Sequence, residues 1–407
     1  MSLIQPFRGL RPTTGNAAAV AAPPYDVLSS EEARVRAAGK PWSFLHISKP
    51  EIDLPEGTDL YSPAVYAKAA ENLGKMVDAG ILARDEQACY YAYRLTMGEH
   101  VQTGLVVAAS VAAYNANRIK KHEFTRPDKE DDRVRQIEAT NAQTGPVLLA
   151  YPASAAADAL LVRASAGAPE ADVTADDGIR HTVWVVKDAA LIAEITAAFE
   201  AMPALYIADG HHRSAAAARV AAARLGDAEK SSDYFLAVVF PHRQMKILDY
   251  NRVVKDLNGL SAEDFLARLE KCFLVSPACG AVKPACPGEI GLYLAGRWYR
   301  LNIDPQLFVK DPVANLDVSL LSTHVLEPIL GIADLRRDKR IDFVGGIRGL
   351  AELEKRVDSG EMAAAFAMYP TRMDQLMAVA DSNQVMPPKS TWFEPKLADG
   401  LVSHVID

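Results

Sequence analysis

The stretch Ile207-Ala208-Asp209-Gly210-His211-His212-Arg213-Ser214-Ala215-Ala216 constrains this chain more than any other segment. Ala204–Ala208 reads as an apolar strand, and an Ala-rich helix is predicted over Ser214–Leu225 with Gly226 as its stop. Between them, Asp209, His211, His212 and Arg213 stand at the C-terminal end of a buried strand. Groups of that kind are costly to bury unless they meet a ligand or one another. The first turn of a helix leaves backbone N–H groups without intrahelical partners, and the aligned peptide dipoles make that end electropositive. Gly210 lets the main chain approach a ligand closely, and Arg213 supplies a planar fork suited to phosphate oxygens. Each charge-assisted hydrogen bond of this type is worth on the order of 1.5–3 kcal/mol. The expectation is a phosphate- or nucleotide-binding loop made of Asp209, Gly210, His211, His212, Arg213 and Ser214.

Two further motifs carry chemistry. Ile119–Thr125 runs out of a predicted strand, so His122 and Glu123 are expected over a cleft, ahead of a charged helix from about Asp128 to Ala142. Glu123 there suits a general base for a hydroxyl or, with Asp209, a magnesium ligand; His122, His211 and His212 complete the catalytic candidates. Asp132 and Arg133 are expected to support it. The spacing is not that of a zinc protease, since Arg126 stands where the second histidine of HExxH would fall. The second motif is Pro387-Pro388-Lys389-Ser390-Thr391. It lacks the glycines of a P-loop, yet a lysine beside two hydroxyls can approach a phosphate, so Lys389, Ser390 and Thr391 join the expected phosphate ligands.

The chain has 407 residues with a formal net charge of −8, and its densest charged run, Lys120 to Arg135, mixes both signs. That balance argues against gripping nucleic acid, which calls for a basic face. Four cysteines, with Cys272, Cys279 and Cys286 seven residues apart, fit neither a zinc knuckle nor a disulfide framework. Met1–Arg8 lacks the basic start and apolar run of a signal peptide, and no uncharged apolar stretch reaches the roughly 18 residues of a membrane span. The expectation is a cytoplasmic protein with no membrane partner. A hairpin is expected over 88–111, a short buried strand at 146–151, a variable surface excursion over 153–178, and a second α+β unit beyond about 256. The domain reading is therefore 1–255 and 256–407, with a tail that returns to the site.

Taken together, Pro23-Pro24-Tyr25-Asp26-Val27, His122-Glu123-Phe124-Thr125, Asp209-Gly210-His211-His212-Arg213 and Met386-Pro387-Pro388-Lys389-Ser390-Thr391-Trp392-Phe393 resemble the uncharacterised DUF1015 family. Gly210, Arg213 and Ala216 are also similar to the Gly-x-x-Arg-x-x-Ala box of the ParB/sulfiredoxin superfamily. Free serine kinases of that superfamily pair an upstream His-Glu with an Asp-Gly-His-x-Arg type loop, in the order seen here. The resemblance implies an α+β fold with a ParB/sulfiredoxin-like mixed-sheet core, an elaborated N-terminal region and a C-terminal α+β unit. It implies Glu123 as general base, Arg213 and the loop amides on the phosphates, and ATP or ADP with Mg2+ as cofactors. The expected activity is nucleotide-dependent phosphotransfer to a small, serine-like hydroxyl metabolite. A metal-dependent phosphohydrolase and a non-enzymatic nucleotide-sensing module are the alternatives. The oligomeric state stays open, a homodimer included.

Overall fold

The computed structural model describes residues 2–224, 226 and 230–406. The backbone separates into two units, Met1–Met245 together with Pro395–Asp407, and Lys246–Glu394. The division falls earlier than the boundary read from composition at 255. The last residues belong with the first unit because Ser403–Val405 is a strand of its small sheet, paired with Gly9–Pro12 on one side and Ala142–Gln143 on the other.

The first unit is built on a mixed sheet, nine-stranded among the described residues. Strand Tyr234–Pro241 lies antiparallel to His100–Ser110 and parallel to Val147–Tyr151. Val147–Tyr151 is antiparallel to Leu205–Asp209, which runs parallel to the short strand Ile119–Lys120. The expected hairpin is Tyr90–Met97 with His100–Ser110. Central strands such as Tyr234–Pro241 and Val147–Tyr151 are buried along their whole length, so they read as continuous apolar runs and not as alternating ones.

Residues 153–178 are not a surface excursion. They form helix Ala155–Ala164 and edge strand Ala171–Thr174, the latter paired with Arg180–Val186. Ala157, Leu160, Leu161 and Ala164 recur at helical spacing and are buried, an apolar stripe hidden in sequence by the surrounding Ala, Asp and Gly.

The second unit carries a six-stranded antiparallel sheet in the order Phe273–Ala278, Arg297–Ile303, Glu289–Leu294, Ala364–Ala367, Tyr250–Val254, Ile341–Gly345. A separate ribbon joins Lys246–Leu248 to Trp392–Glu394. In this unit helix Asp317–Leu321 is short and runs into a wider turn over Ser322–Leu326. Among the described residues, no helix is long and apolar enough to cross a membrane.

Candidate functional site

The helix after strand Leu205–Asp209 spans His211–Ala223, beginning three residues before the predicted start; its expected last residue, Leu225, lies outside the described residues. Gly210 is its N-cap, at φ 99° and ψ 27°, a left-handed conformation that turns the chain from strand into helix without a linker. A Cβ at Gly210 would stand 3.2 Å from the Arg213 guanidinium carbon and 3.3 Å from the Val147 backbone. The strand shifts register between Ile207 and Asp209, the kind of irregularity that re-aims a side chain at a strand end. Ala215, Ala216 and Ala217 are buried, and their small side chains let the helix lie close on the sheet.

These local features bring His122, Glu123, Asp209, Gly210, His211, His212 and Arg213 together. Both tandem histidines use a ring nitrogen to hold the preceding loop. The His122 N–H donates to His211 Nε2 at 3.4 Å, and the Arg126 N–H donates to His212 Nε2 at 3.0 Å. Burial holds the His211 pKa well below its ordinary value, reinforced by neighbouring His122. A neutral His211 accepting at Nε2 carries its proton on Nδ1, which faces Glu123 Oε2 at 3.7 Å. His122 is likewise neutral, held by burial at about 4, and its ring meets His211 edge-on at 4.5 Å. Glu123 is half-exposed at the surface.

Arg213 is nearly enclosed. One guanidinium nitrogen donates to the Pro146 carbonyl, and the other lies 3.6 Å from Asp26 and 3.7 Å from Asp209, beyond hydrogen-bond distance. Burial opposes ionisation of Asp209, but Lys396, 3.8 Å away, and Arg213 outweigh it and hold the carboxyl at about 2. Arg213 also walls a narrow cavity with Tyr25, Ser48, Arg133, Gly145 and Asp399. There the Arg133 guanidinium lies 3.9 Å over the Tyr25 ring and donates twice to Asp132. Burial lifts Asp399 to about 7 against the pull of Arg213, and among the described residues its Oδ1 has no hydrogen-bond partner.

The other expected ligands are placed differently. Ser214 is wholly buried; its hydroxyl donates to the His211 carbonyl at 3.0 Å and its N–H to Gly210, so it offers a ligand neither group. Lys389, Ser390 and Thr391 lie in the second unit. Within it, the Lys389 carbonyl accepts from Arg252 at 3.0 Å, and Ser390 accepts from Thr371 and donates to Pro387. Among the described residues, no group of three or more His, Cys, Asp or Glu is arranged to hold a metal ion. Sequence reasoning passed over Lys396, Asp399 and Ser48. None has a periodic or motif signal; Lys396 and Asp399 meet the site because strand Ser403–Val405 carries the tail back and because Ala22 and Asp399 exchange backbone hydrogen bonds, and Ser48 because it ends helix Leu45–Ser48 beside the cavity.

A mixed α+β protein with a glycine-capped turn from strand into helix is the class these features define. The chain belongs to the family described as "Protein of unknown function (DUF1015)", whose profile matches residues 4–319. No curated protein matches it. Among solved structures it is similar to a free serine kinase mutant in complex with AMP, at 14% identity and a TM-score of 0.37, covering 70% of this chain and 89% of that one. The same kind of protein in complex with ADP is 13% identical with a TM-score of 0.37, covering 74% and 94%. SbnI with C-terminal truncation from Staphylococcus aureus is 10% identical with a TM-score of 0.37, covering 72% and 85%.

Proposed function

We propose that the chain is a nucleotide-dependent phosphotransferase acting on a small hydroxyl-bearing metabolite, with the first unit a ParB/sulfiredoxin-like core. The observation that carries this reading is a convergence within one helical turn. The left-handed Gly210 N-cap, the enclosed Arg213 guanidinium and the Glu123 carboxylate facing His211 all meet there. The amides of His211, His212 and Arg213, on a helix of thirteen residues, would receive the phosphate to be transferred. Arg213 would neutralise charge that develops on it. Glu123 would take the proton from the acceptor hydroxyl as that oxygen forms its bond to phosphorus; the bridging P–O bond breaks and the shortened nucleotide leaves with the electron pair. Phosphoryl transfer asks mainly for positioning and charge neutralisation, which this set of groups supplies.

His211 and His212 act by position, fixing the loop that carries Glu123. Magnesium fits the donor set: Asp209 and Glu123 are hard oxygen ligands, and such sites take one or two carboxylates with the rest of the shell from phosphate and water. When bound, the ion would neutralise phosphate charge. The test is turnover of ATP and ADP against a panel of small alcohols with wild type and Glu123→Gln. A phosphorylated alcohol from wild type, with the rate falling at least ~100-fold in the variant, is expected. Full activity in Glu123→Gln removes the base. Inorganic phosphate as the sole product reassigns the site to hydrolysis, and nucleotide binding without turnover reassigns it to sensing.

A further inference from the structure

The cavity beside Arg213 contains two buried polar atoms that nothing in the first unit satisfies. Asp399 is 1% exposed and Ser48 6%, and among the described residues neither Asp399 Oδ1 nor Ser48 Oγ has a hydrogen-bond partner. Leaving such groups unmade costs on the order of 1–3 kcal/mol each, more for a charge, so two on one wall point to an occupant. Both lining glutamines are already committed. Gln143 donates to the Tyr234 carbonyl and accepts from the Leu236 N–H, and Gln136 donates to Ile47. A Cβ added at Gly145 would lie 3.5 Å from Arg213 and 3.7 Å from Asp399 Oδ1, so the missing side chain is what keeps the two groups facing open space.

Charge decides what fills it. Around the cavity the cations Arg133, Arg213 and Lys396 face the carboxylates of Asp26, Asp132, Asp209 and Asp399. Asp132 is taken by Arg133, while Asp26 and Asp209 share Arg213 and Lys396. Asp399 is the carboxylate without an ion pair: no cation stands within 4.0 Å of it among the described ion pairs, Arg213 and Arg133 act on it only from farther off, and a proton or a cation brought from outside would match it directly. A second anion would add to the surplus. A neutral polyol would leave it standing.

We propose that the cavity walled by Tyr25, Ser48, Arg133, Gly145, Arg213 and Asp399 binds the ammonium end of a small amino alcohol, the ammonium donating to Asp399 Oδ1 and Ser48 Oγ. This names the acceptor class for the phosphotransferase reading and rests on it for the fate of the hydroxyl, but the binding itself does not. The experiment therefore reads equilibrium binding without nucleotide. Ethanolamine is titrated calorimetrically against ethylene glycol, its neutral counterpart, on the full chain, with Asp399→Asn and Gly145→Ala as variants. Wild type should prefer ethanolamine at least ~10-fold, the worth of one charge-assisted hydrogen bond. Asp399→Asn should erase the preference. Gly145→Ala, whose methyl group enters the cavity at ordinary contact distance, should weaken ethanolamine while keeping every charge. A cooperative thermal unfolding transition in both variants, with wild-type far-UV circular dichroism, certifies that they are folded. Equal affinity for the two ligands, no measurable binding of ethanolamine to wild type, or a preference that survives Asp399→Asn overturns the proposal. Ethanolamine that binds as expected but is never phosphorylated upholds the cavity and refutes the phosphotransferase reading instead.

Discussion

Asp399→Asn should stabilise the protein, and by an amount that grows with pH. The substitution keeps the shape of the side chain and an acceptor oxygen for the Tyr25 N–H that the carboxylate now receives. In the folded chain burial is the dominant influence on this acid, lifting it from 3.8 to about 7. A carboxyl raised on folding favours the folded state fully below its unfolded value, and that contribution is lost as pH rises through the folded value. At about 1.4 kcal/mol per pH unit, the raised carboxyl costs the wild type roughly 4 kcal/mol above pH 7 and less than half of that near pH 5. Other groups titrate alike in both chains and cancel in the difference. Urea unfolding of wild type and variant at about pH 5 and pH 8 should then show the variant's advantage widening by about 2 kcal/mol. An advantage that stays constant within about 0.5 kcal/mol, or shrinks as pH rises, would mean that Asp399 is ionised throughout and matched by Arg213.

Two substitutions probe the turn directly. Gly210→Ala forces a side chain into a left-handed N-cap and against Arg213 and Val147, at a cost of about 1–3 kcal/mol, read as a lowered denaturation midpoint together with loss of the ADP-induced melting shift; a variant that melts and binds like wild type shows that the backbone here has other options. Arg213→Lys keeps the charge beside Asp26 and Asp209 but loses the fork that reaches Pro146, so nucleotide affinity should fall at least ~10-fold with a smaller change in stability. Undiminished ADP binding would take that guanidinium out of the phosphate site.

The local machinery was legible in residue order. Gly210 and Arg213 could be placed at a turn into a helix because glycine adopts positive φ without steric cost and an alanine run follows at once. The same reasoning misplaced the helix start by three residues and took Ala155–Ala164 for a loop, since Ala-rich stretches carry a weak apolar period even when one face is buried. The ring nitrogens of the tandem histidines also hold the His122 and Arg126 backbone, an arrangement no spacing rule encodes.

From the sequence alone came the strand, the glycine turn, the acid at Glu123 and the helix that follows Arg213, because each depends on neighbours within a few residues. Folding in three dimensions decided what surrounds Arg213. Lys396 and Asp399 arrive from the far end of the chain, Tyr25 and Ser48 from near its beginning, and Gly145 from between two strands. The protonation of a buried carboxyl depends on which charges and how much water stand within a few ångströms of it, and that distance is set by packing, not by position along the chain.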